Sequence, residues 1–296
     1  MAVAVVANPT SGRGKGARLI PQVDALLRSL GVEHAMHVCT GPEDPERLAR
    51  RAAEGGAQIV AALGGDGQVG LCANGVIGSG SALAVIPAGT GNDFARHIGL
   101  DRKDPLAAAR LLSSPVLKKI DVVRVMTADG ERYFVNVGGA GFDSDVNAHA
   151  NQVRRLKGTP KYIYSTFVTL ARFQPGEFKV VVDGTSHDLP AMMIAVGNGS
   201  SYGGGMKITP EGRVDNGTLD VCVLGRLSKL TFVKTFPKVF SGKHVEHPAV
   251  TMLRGREIEI SADRPFQVYA DGEPVGALPA TFTVVPATLP LVVPGP

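Results

Sequence analysis

The segment Val60–Gly70, which reads VAALGGDGQVG, decides the fold class. Its apolar run has the length of a strand and ends in the turn Gly64-Gly65-Asp66-Gly67, after which an apolar pattern resumes. Glycine loses more conformational entropy on folding than any other residue. Three glycines around one carboxylate therefore indicate positive φ or the close approach of another backbone or a ligand. We expect a buried strand followed by a ligand-binding turn.

Similar strand and helix patterns lie on both sides of this segment. The runs AVAVVAN, VEHAMHV and ALAVIP have strand length, and helical patterns separate them. The stretch EDPERLARRAAEGG predicts a helix with Asp44 as N-cap and Gly55 at its end. Continuous apolar strands that alternate with helices imply a parallel sheet covered on both faces. Residues 1–125 are thus predicted to form an α/β open-sheet domain.

The pattern changes after about residue 125. Strand-like runs are now spaced by Gly, Asp and Pro turns, and they read RYFVNVGGAGF, EFKVVVDG, AMMIAVGN, TLDVCVL, EIEISA, FQVYADG and TFTVVP. Helical patterns interrupt them at residues 144–172 and 228–241. We predict that residues 126–296 form a second, mainly antiparallel domain, a β-sandwich, whose C-terminal segment is free to return to the first domain.

Composition and charge exclude several classes of protein. With 296 residues, 44% of them hydrophobic and 20% charged, the chain can bury a large core and is not disordered. The net charge of +4 suits anionic substrates or a membrane surface and does not indicate nucleic acid. The cysteines Cys39, Cys72 and Cys222 form no CxxC pair, so neither a zinc site nor a disulfide framework is indicated. No signal peptide or spanning helix is recognisable, and we expect a cytoplasmic protein.

Three glycine-rich turns each follow a predicted strand: NPTSGRGKG, GGDG and PAGTGNDFAR. In an open α/β sheet, ligands bind beyond the carboxyl ends of the strands. Backbone N–H groups in glycine turns and at helix N-termini bind phosphate. Asp66 and Asp93 would repel phosphate directly, so their natural use is through Mg²⁺. No P-loop sequence occurs, and GRGKGA lacks the spacing of a dinucleotide fingerprint.

Five motifs together resemble one known family. NPTSGRGKG, GGDG, PAGTGNDFAR, GGGMKITP with VDNGTLDV, and YADGEP occur in the order seen in diacylglycerol kinase catalytic domains. This is the branch of bacterial soluble lipid kinases, related to sphingosine kinases and more distantly to NAD kinases. The resemblance extends from Val3 to about Val285. It implies ATP and Mg²⁺ as cofactors and a lipid, most simply diacylglycerol, as substrate, with ATP between an α/β domain and a β-sandwich domain.

The resemblance also implies roles for individual residues. Glu273 would be the general base for the lipid hydroxyl, and Asp66 would help to hold the metal-bound nucleotide. A second metal site would use Asp215, Asn216 and Thr218. The residues expected around the nucleotide are Asn8, Pro9, Thr10, Ser11, Gly12, Thr40, Gly64, Gly65, Asp66, Gly67, Gln68, Thr90, Gly91, Asn92 and Asp93.

Two motifs depart from the family pattern. Gln68 follows GGDG where the family has threonine, and Gly70 and Leu71 stand where it has an Asn-Glu pair. The loop usually read DDG contains Asn216, so we expect weaker Mg²⁺ binding there. Two alternative functions stay open: an NAD kinase, and a non-catalytic regulator that binds a nucleotide or a lipid.

The segment SKLTFVKTFPKVFSGKH has two interpretations. It places Leu230, Val233, Phe236 and Phe240 at helical spacing among several lysines. Such a stripe either lies on an anionic bilayer or, more commonly, packs on a sheet. The basic run at residues 154–161 is a second candidate for contact with lipid head groups. We predict a protein that contacts an anionic membrane surface peripherally and does not bind nucleic acid; the sequence leaves the oligomeric state open, a homodimer included.

Overall fold

The computed structural model describes residues 2–153, 156 and 159–295. The chain forms two compact units. Unit 1 contains Met1–Asp121 and Pro286–Pro296, and unit 2 contains Val122–Val285. The domain boundary predicted after residue 125 falls within the strand Val116–Thr127. Four residues of the predicted basic run, Arg154, Arg155, Lys157 and Gly158, lie outside the described residues.

Unit 1 is built on a parallel sheet, as predicted. Its strands are β1 (Val3–Ala7), β2 (His34–Val38), β3 (Ile59–Gly64) and β4 (Ala82–Pro87), and its helices are α1 (Ser11–Ser29), α2 (Asp44–Glu54), α3 (Asp66–Val76), α4 (Asp93–His97), α5 (Pro105–Arg110) and the 3₁₀ helix Leu111–Ser113. β1 lies between β2 and β3, and β4 pairs with β3. β1, β3 and β4 are buried along their whole length because helices cover both faces.

Unit 2 is antiparallel. Its strands are β5 (Val116–Thr127), which begins in unit 1, β6 (Gly130–Phe134), β7 (Val137–Gly141), β8 (Gly176–Val182), β9 (Thr185–Gly197), β10 (Leu219–Gly225), β11 (Val250–Gly255), β12 (Glu257–Ala262), β13 (Gln267–Ala270), β14 (Glu273–Ala277) and β15 (Ala280–Val293), which ends in unit 1; its helices are α6 (Phe142–Gln152), α7 (Thr159–Arg172), α8 (Lys229–Thr235) and the 3₁₀ helices Phe236–Ser241 and Lys243–Glu246. One run of neighbours is β14-β13-β7-β9-β8-β12-β15, and β10 pairs with both β9 and β11. The predicted fold class, α/β followed by a β-sandwich, is confirmed.

The core of unit 2 has two parts because β9 is buried on both faces. Ile194 and Val196 belong to a cluster with Phe134, Phe178 and Phe282. The intervening Met193 and Ala195 belong to a second cluster, since successive side chains of a strand point to opposite faces. We call this second group the helix-side cluster; its buried members are Val137, Phe142, Val146, Leu170, Met192, Met193, Ala195, Ile208, Cys222, Phe232 and Val239.

Two local predictions differ from the structure. Glu43, not Asp44, is the N-cap residue of α2, and Asp44 is the first helical residue. The carboxylate of Asp44 instead accepts hydrogen bonds from the backbone N–H groups of Thr40 and Gly41 in the preceding loop.

The strands β5, β11 and β14 were not predicted as strands. β11 has one fully buried residue in six, so its sequence lacks a strong apolar pattern. Within the described ranges, no helix is long and apolar enough to cross a bilayer.

Candidate functional site

The three glycine turns of unit 1 come into direct contact. Parallel strands place their carboxyl ends at one edge of the sheet, so the turns after β1, β3 and β4 are neighbours. A Cβ atom added to Gly12 would lie 2.1 Å from the carbonyl oxygen of Ala88. A Cβ atom added to Gly89 would lie 2.4 Å from the Cα atom of Gly65. Glycine is required here because three backbone segments pass within van der Waals distance of each other.

The turn after β1 has an unusual backbone conformation. Gly12, Arg13 and Gly14 have φ values of 57°, 60° and 86°, so the regular part of α1 begins only after them. A left-handed conformation is unfavourable for a non-glycine residue such as Arg13. The Asn8 side chain fixes the start of the turn, because its Oδ1 accepts hydrogen bonds from the backbone N–H and the hydroxyl of Thr10, at 3.0 and 2.8 Å. The chain thus holds a defined, partly exposed loop at this edge.

Asp66 links the turn after β3 to α4. Its Oδ1 accepts a hydrogen bond of 3.0 Å from the backbone N–H of Phe94, while Gly65 is the N-cap residue of α3. Burial, and to a smaller extent the charge of Asp93, raise the pKa of Asp66 to about 6. Asp93 is almost fully buried and forms an ion pair of 2.8 Å with Arg96. Two crowded carboxylates beside glycine turns fit a divalent cation carrying phosphate, because the cation would relieve their repulsion.

Three further residues predicted to lie around a nucleotide make hydrogen bonds within unit 1. The amide of Asn92 exchanges two hydrogen bonds with Gly89, at 2.9 and 3.0 Å, and so closes the turn after β4. Gln68 is buried and donates to the carbonyl oxygen of Val6 at 3.1 Å. Thr40 donates from its backbone N–H and its hydroxyl to Asp44, at 2.6 and 2.7 Å. These side chains therefore shape the loops; Thr90, by contrast, is exposed.

In unit 2, Glu273 follows a tight hairpin between β13 and β14. The two turn residues Asp271 and Gly272 have φ values of 49° and 87°, as a two-residue hairpin turn requires. The carboxylate of Asp271 accepts hydrogen bonds from the backbone N–H groups of three successive residues before and at the start of β7: Val135, Asn136 and Val137, at 2.9, 3.1 and 3.2 Å. This contact fixes the hairpin and with it the position of the half-buried Glu273.

Sequence reasoning missed the polar neighbours of Glu273. Burial raises the pKa of Tyr269, and the nearby charges of Asp145 and Glu273 raise it further, so these three side chains form one group. A second group lies beside the helix-side cluster, where burial raises the pKa of Asp143 to about 6 and the hydroxyl of Tyr202 donates a hydrogen bond to it. The available signal was the pair of acidic residues directly after the glycine-rich strand β7.

In the loop predicted to hold a second metal ion, side-chain oxygen atoms of Asp215 and Asn216 make contacts within the protein. Oδ1 of Asp215 pairs with Arg213 at 3.2 Å, and Oδ1 of Asn216 accepts from the backbone N–H of Thr218 at 3.1 Å. Among the described residues, no three His, Cys, Asp or Glu side chains are grouped to hold a metal ion. The assignment of Asp215, Asn216 and Thr218 stays a prediction, as does the weak Mg²⁺ binding expected there.

Comparisons with known proteins cover both units. Residues 2–125 match the family described as the diacylglycerol kinase catalytic domain, and residues 136–293 match the YegS C-terminal NAD kinase beta sandwich-like domain. The chain is 35% identical to a diacylglycerol kinase of Mycobacterium tuberculosis, over 97% of this chain and 93% of the relative. It is 27% identical to a diacylglycerol kinase of Bacillus subtilis, over 94% and 91%. The crystal structure of a diacylglycerol kinase from Bacillus anthracis has the same fold, with a TM-score of 0.76 and 21% identity over 99% and 96% of the two chains.

Proposed function

Because the chain belongs to the diacylglycerol kinase family, we propose that it transfers the γ-phosphate of ATP to a lipid hydroxyl in an Mg²⁺-dependent reaction. Diacylglycerol is the acceptor that we favour, and phosphatidic acid is then the product. The relatives from Mycobacterium tuberculosis and Bacillus subtilis are both named diacylglycerol kinase, and the similarity to this chain covers 93% and 91% of their lengths. This similarity supports the choice of diacylglycerol. The reaction would take place at the surface of a membrane, since the acceptor is insoluble in water, and we place it on the cytoplasmic side because we expect a cytoplasmic protein.

The observation that carries the proposal is the contact between the three glycine turns of unit 1. Asn8–Gly12, Gly64–Gly67 and Thr90–Gly91 would surround the phosphates with backbone N–H groups. Asp66 would help to hold Mg²⁺, which neutralises charge on the phosphate oxygens when it is bound. The buried contacts of Gln68 and Asn92 keep these loops in shape.

Glu273 is our proposed general base in unit 2. An alcohol attacks a phosphoryl group from the side opposite the leaving oxygen, and a general base assists when it lies within hydrogen-bond reach of the hydroxyl proton. A carboxylate oxygen of Glu273 would accept the proton of the lipid hydroxyl as the new oxygen–phosphorus bond forms and the bond from the γ-phosphorus to the bridging oxygen of ATP breaks, so that ADP leaves. Asp271 is a positioning residue in this scheme, because its three backbone contacts hold the hairpin that carries Glu273.

Two alternatives remain as outcomes of the test. An NAD kinase shares the GGDG motif and carries an Asn-Glu acceptor-site motif in the helical region that follows it, and no such motif is recognisable after GGDG in this sequence. A non-catalytic regulator is suggested by the inward side chain of Gln68 and by the arginine bound to Asp215. Neither alternative uses Glu273 as a base for a lipid hydroxyl.

The experiment measures transfer from γ-labelled ATP to diacylglycerol in detergent micelles containing Mg²⁺. Glu273→Gln should bind ATP like the wild type yet lose turnover by about a hundredfold or more. Asp66→Ala should lose both ATP binding and turnover. Glu54→Gln, at an exposed position on α2, is the matched control and should behave as the wild type.

The other outcomes each decide against part of the proposal. Normal turnover by Glu273→Gln would remove Glu273 from the mechanism. Intact ATP binding without transfer to any lipid would favour the regulator, and label found on NAD would favour the NAD kinase.

A further inference from the structure

In the segment Lys229–Lys243 of unit 2, which we call the docking segment, some apolar side chains are buried in the core and others are exposed. Phe232 and Val239 are 6% and 8% exposed and belong to the helix-side cluster, against which Phe236 packs. Leu230, Val233 and Phe240 are exposed by 66%, 41% and 44%. Packing on the sheet therefore accounts for only half of the apolar pattern in this sequence. Three exposed apolar side chains on one short segment are typical of an interaction surface.

The exposed residues are held in place by a series of aromatic contacts. The ring of Phe232 lies 5.1 Å from that of the buried Phe142, Phe236 lies 5.7 Å from Phe232, and Phe240 lies 6.1 Å from Phe236. The start of α8 is capped by Ser228, whose hydroxyl accepts a hydrogen bond from the backbone N–H of Thr231 at 3.1 Å. These contacts fix the backbone that presents Leu230, Val233 and Phe240.

The charged residues of the docking segment itself are all basic. The docking segment and the residues just before it, 226–243, include five lysine or arginine residues and no aspartate or glutamate, and the first acidic residue after them is the exposed Glu246. Arg226 pairs with Glu177, and Lys229 donates to the carbonyl oxygen of Ala171 at 2.6 Å. The other three, Lys234, Lys238 and Lys243, are exposed and form no ion pair with a carboxylate among the described residues.

We propose that the docking segment rests on the surface of an anionic phospholipid bilayer. Leu230, Val233 and Phe240 enter the boundary between head groups and acyl chains, and the three lysines face the lipid phosphates. Lysine is depleted in protein–protein interfaces but favoured at anionic membranes, so the charge pattern selects a bilayer over a protein partner. The purpose of this contact rests on the proposed function, because it would bring unit 2 to the layer in which a diacylglycerol acceptor resides.

The test is sedimentation with vesicles, which requires no catalytic activity. We expect the wild type to bind vesicles of phosphatidylcholine with phosphatidylglycerol, and to bind vesicles of pure phosphatidylcholine weakly. The triple variant Lys234→Gln, Lys238→Gln, Lys243→Gln should bind the anionic vesicles about a hundredfold more weakly, from the usual contribution of each surface lysine. The triple variant Leu230→Ser, Val233→Ser, Phe240→Ser should lose binding to a similar degree.

The control variants remove an exposed apolar side chain or an exposed lysine charge outside the docking segment. Leu117→Ser deletes an apolar side chain that is 54% exposed on β5, and Lys103→Gln deletes an exposed charge of unit 1; both should bind like the wild type. Thermal unfolding of each variant establishes that it is folded. The proposal is overturned if the wild type ignores anionic vesicles, or if the folded triple variants still bind them.

A second measurement separates this proposal from the proposed function. If the protein phosphorylates diacylglycerol, the triple variants should keep their rate in detergent micelles and lose it on anionic vesicles. If no lipid is phosphorylated but vesicle binding depends on the docking segment, the surface stands and the kinase proposal falls. Equal rates on vesicles for variants and wild type would overturn the docking surface and leave the kinase standing.

Discussion

Asp143 is a carboxyl group whose charge state depends on burial. It lies in the first turn of α6, accepts hydrogen bonds from the hydroxyl of Tyr202 and from the backbone N–H of Ser144 at 3.0 Å, and has a pKa raised to about 6. In the unfolded chain the same group has the ordinary pKa of an aspartate, about 4. The folded protein therefore binds this proton more tightly, and the ionised form is destabilising above pH 6.

Asp143→Asn should stabilise the protein at high pH and lose this advantage at low pH. The raised pKa of Asp143 makes its full contribution to the free energy of unfolding below about pH 4, and that contribution is lost as the pH rises through 6. The variant keeps an oxygen acceptor for Tyr202 without the charge, so it should gain up to about 3 kcal/mol over the wild type at pH 8. Denaturant unfolding between pH 4 and pH 8 measures the difference, and Asp188→Asn, at an exposed position on β9, is the control. A constant difference across this range would contradict the assignment of the pKa to Asp143.

Single residues show where sequence reasoning is sufficient and where it fails. The need for glycine around Asp66 was readable, because three glycines within four consecutive residues indicate a backbone that side chains would obstruct. The presence of Gln68 in place of the family's threonine was also readable, but the direction in which its side chain points was not. The amide turns inward only because the carbonyl oxygen of Val6 lies 3.1 Å away on a neighbouring strand. Long-range partners of this kind have no signature in the local sequence.

At the scale of elements, the contact between the turns after β3 and β4 makes a sharp prediction. Gly89→Ala would place a methyl group 2.4 Å from the Cα atom of Gly65, so one backbone must move. We expect a loss of about 2 kcal/mol in the free energy of unfolding and weaker binding of ATP, since the displaced turns form the proposed phosphate site. Isothermal calorimetry with ATP and thermal unfolding measure the two effects.

Gly41→Ala is the matched control for this change. Gly41 also lies in a turn of unit 1, and a Cβ atom added there meets nothing within 4 Å. This variant should bind ATP and unfold like the wild type. Equal effects of the two substitutions would show that the close approach of Gly65 and Gly89 is unimportant.

Elements were predictable where burial is uniform and unpredictable where it is mixed. β1, β3 and β4 were recognised because each is apolar throughout, as a strand covered on both faces must be. β14 was missed because EPVGA combines a charge, a proline and a glycine, and it forms a strand through its pairing with β13. The helical stripe of the docking segment was recognised, but which of its residues are buried depends on Phe142, far away in the sequence.

At the scale of the whole molecule, the chain ends by returning to its first unit. β15 pairs with β12 in unit 2 through Thr283, and with β4 in unit 1 at Leu291. The predicted strand TFTVVP ended at Pro286, where the real strand passes from one unit to the other. A proline lacks a backbone N–H and interrupts the ladder, so the sequence indicated a break there and allowed a return to the first domain, but it did not identify β4 as the next partner.

Removing the last segment should therefore damage the first unit. Leu289, Leu291 and Val292 are at most 2% exposed, and the backbone N–H of Ala287 donates a hydrogen bond of 2.8 Å to the buried Asp121. A chain that ends at Val285 should fail to fold unit 1 and should not bind ATP, because β4 then loses the strand that pairs with it at Leu83 and the core of unit 1 loses three buried side chains. The milder Leu291→Ala should lower the free energy of unfolding by about 3 kcal/mol. A chain that ends at Pro294 is the control and should match the full-length protein. If Leu291→Ala unfolded at the same denaturant concentration as the wild type, the C-terminal strand would not be part of the unit 1 core.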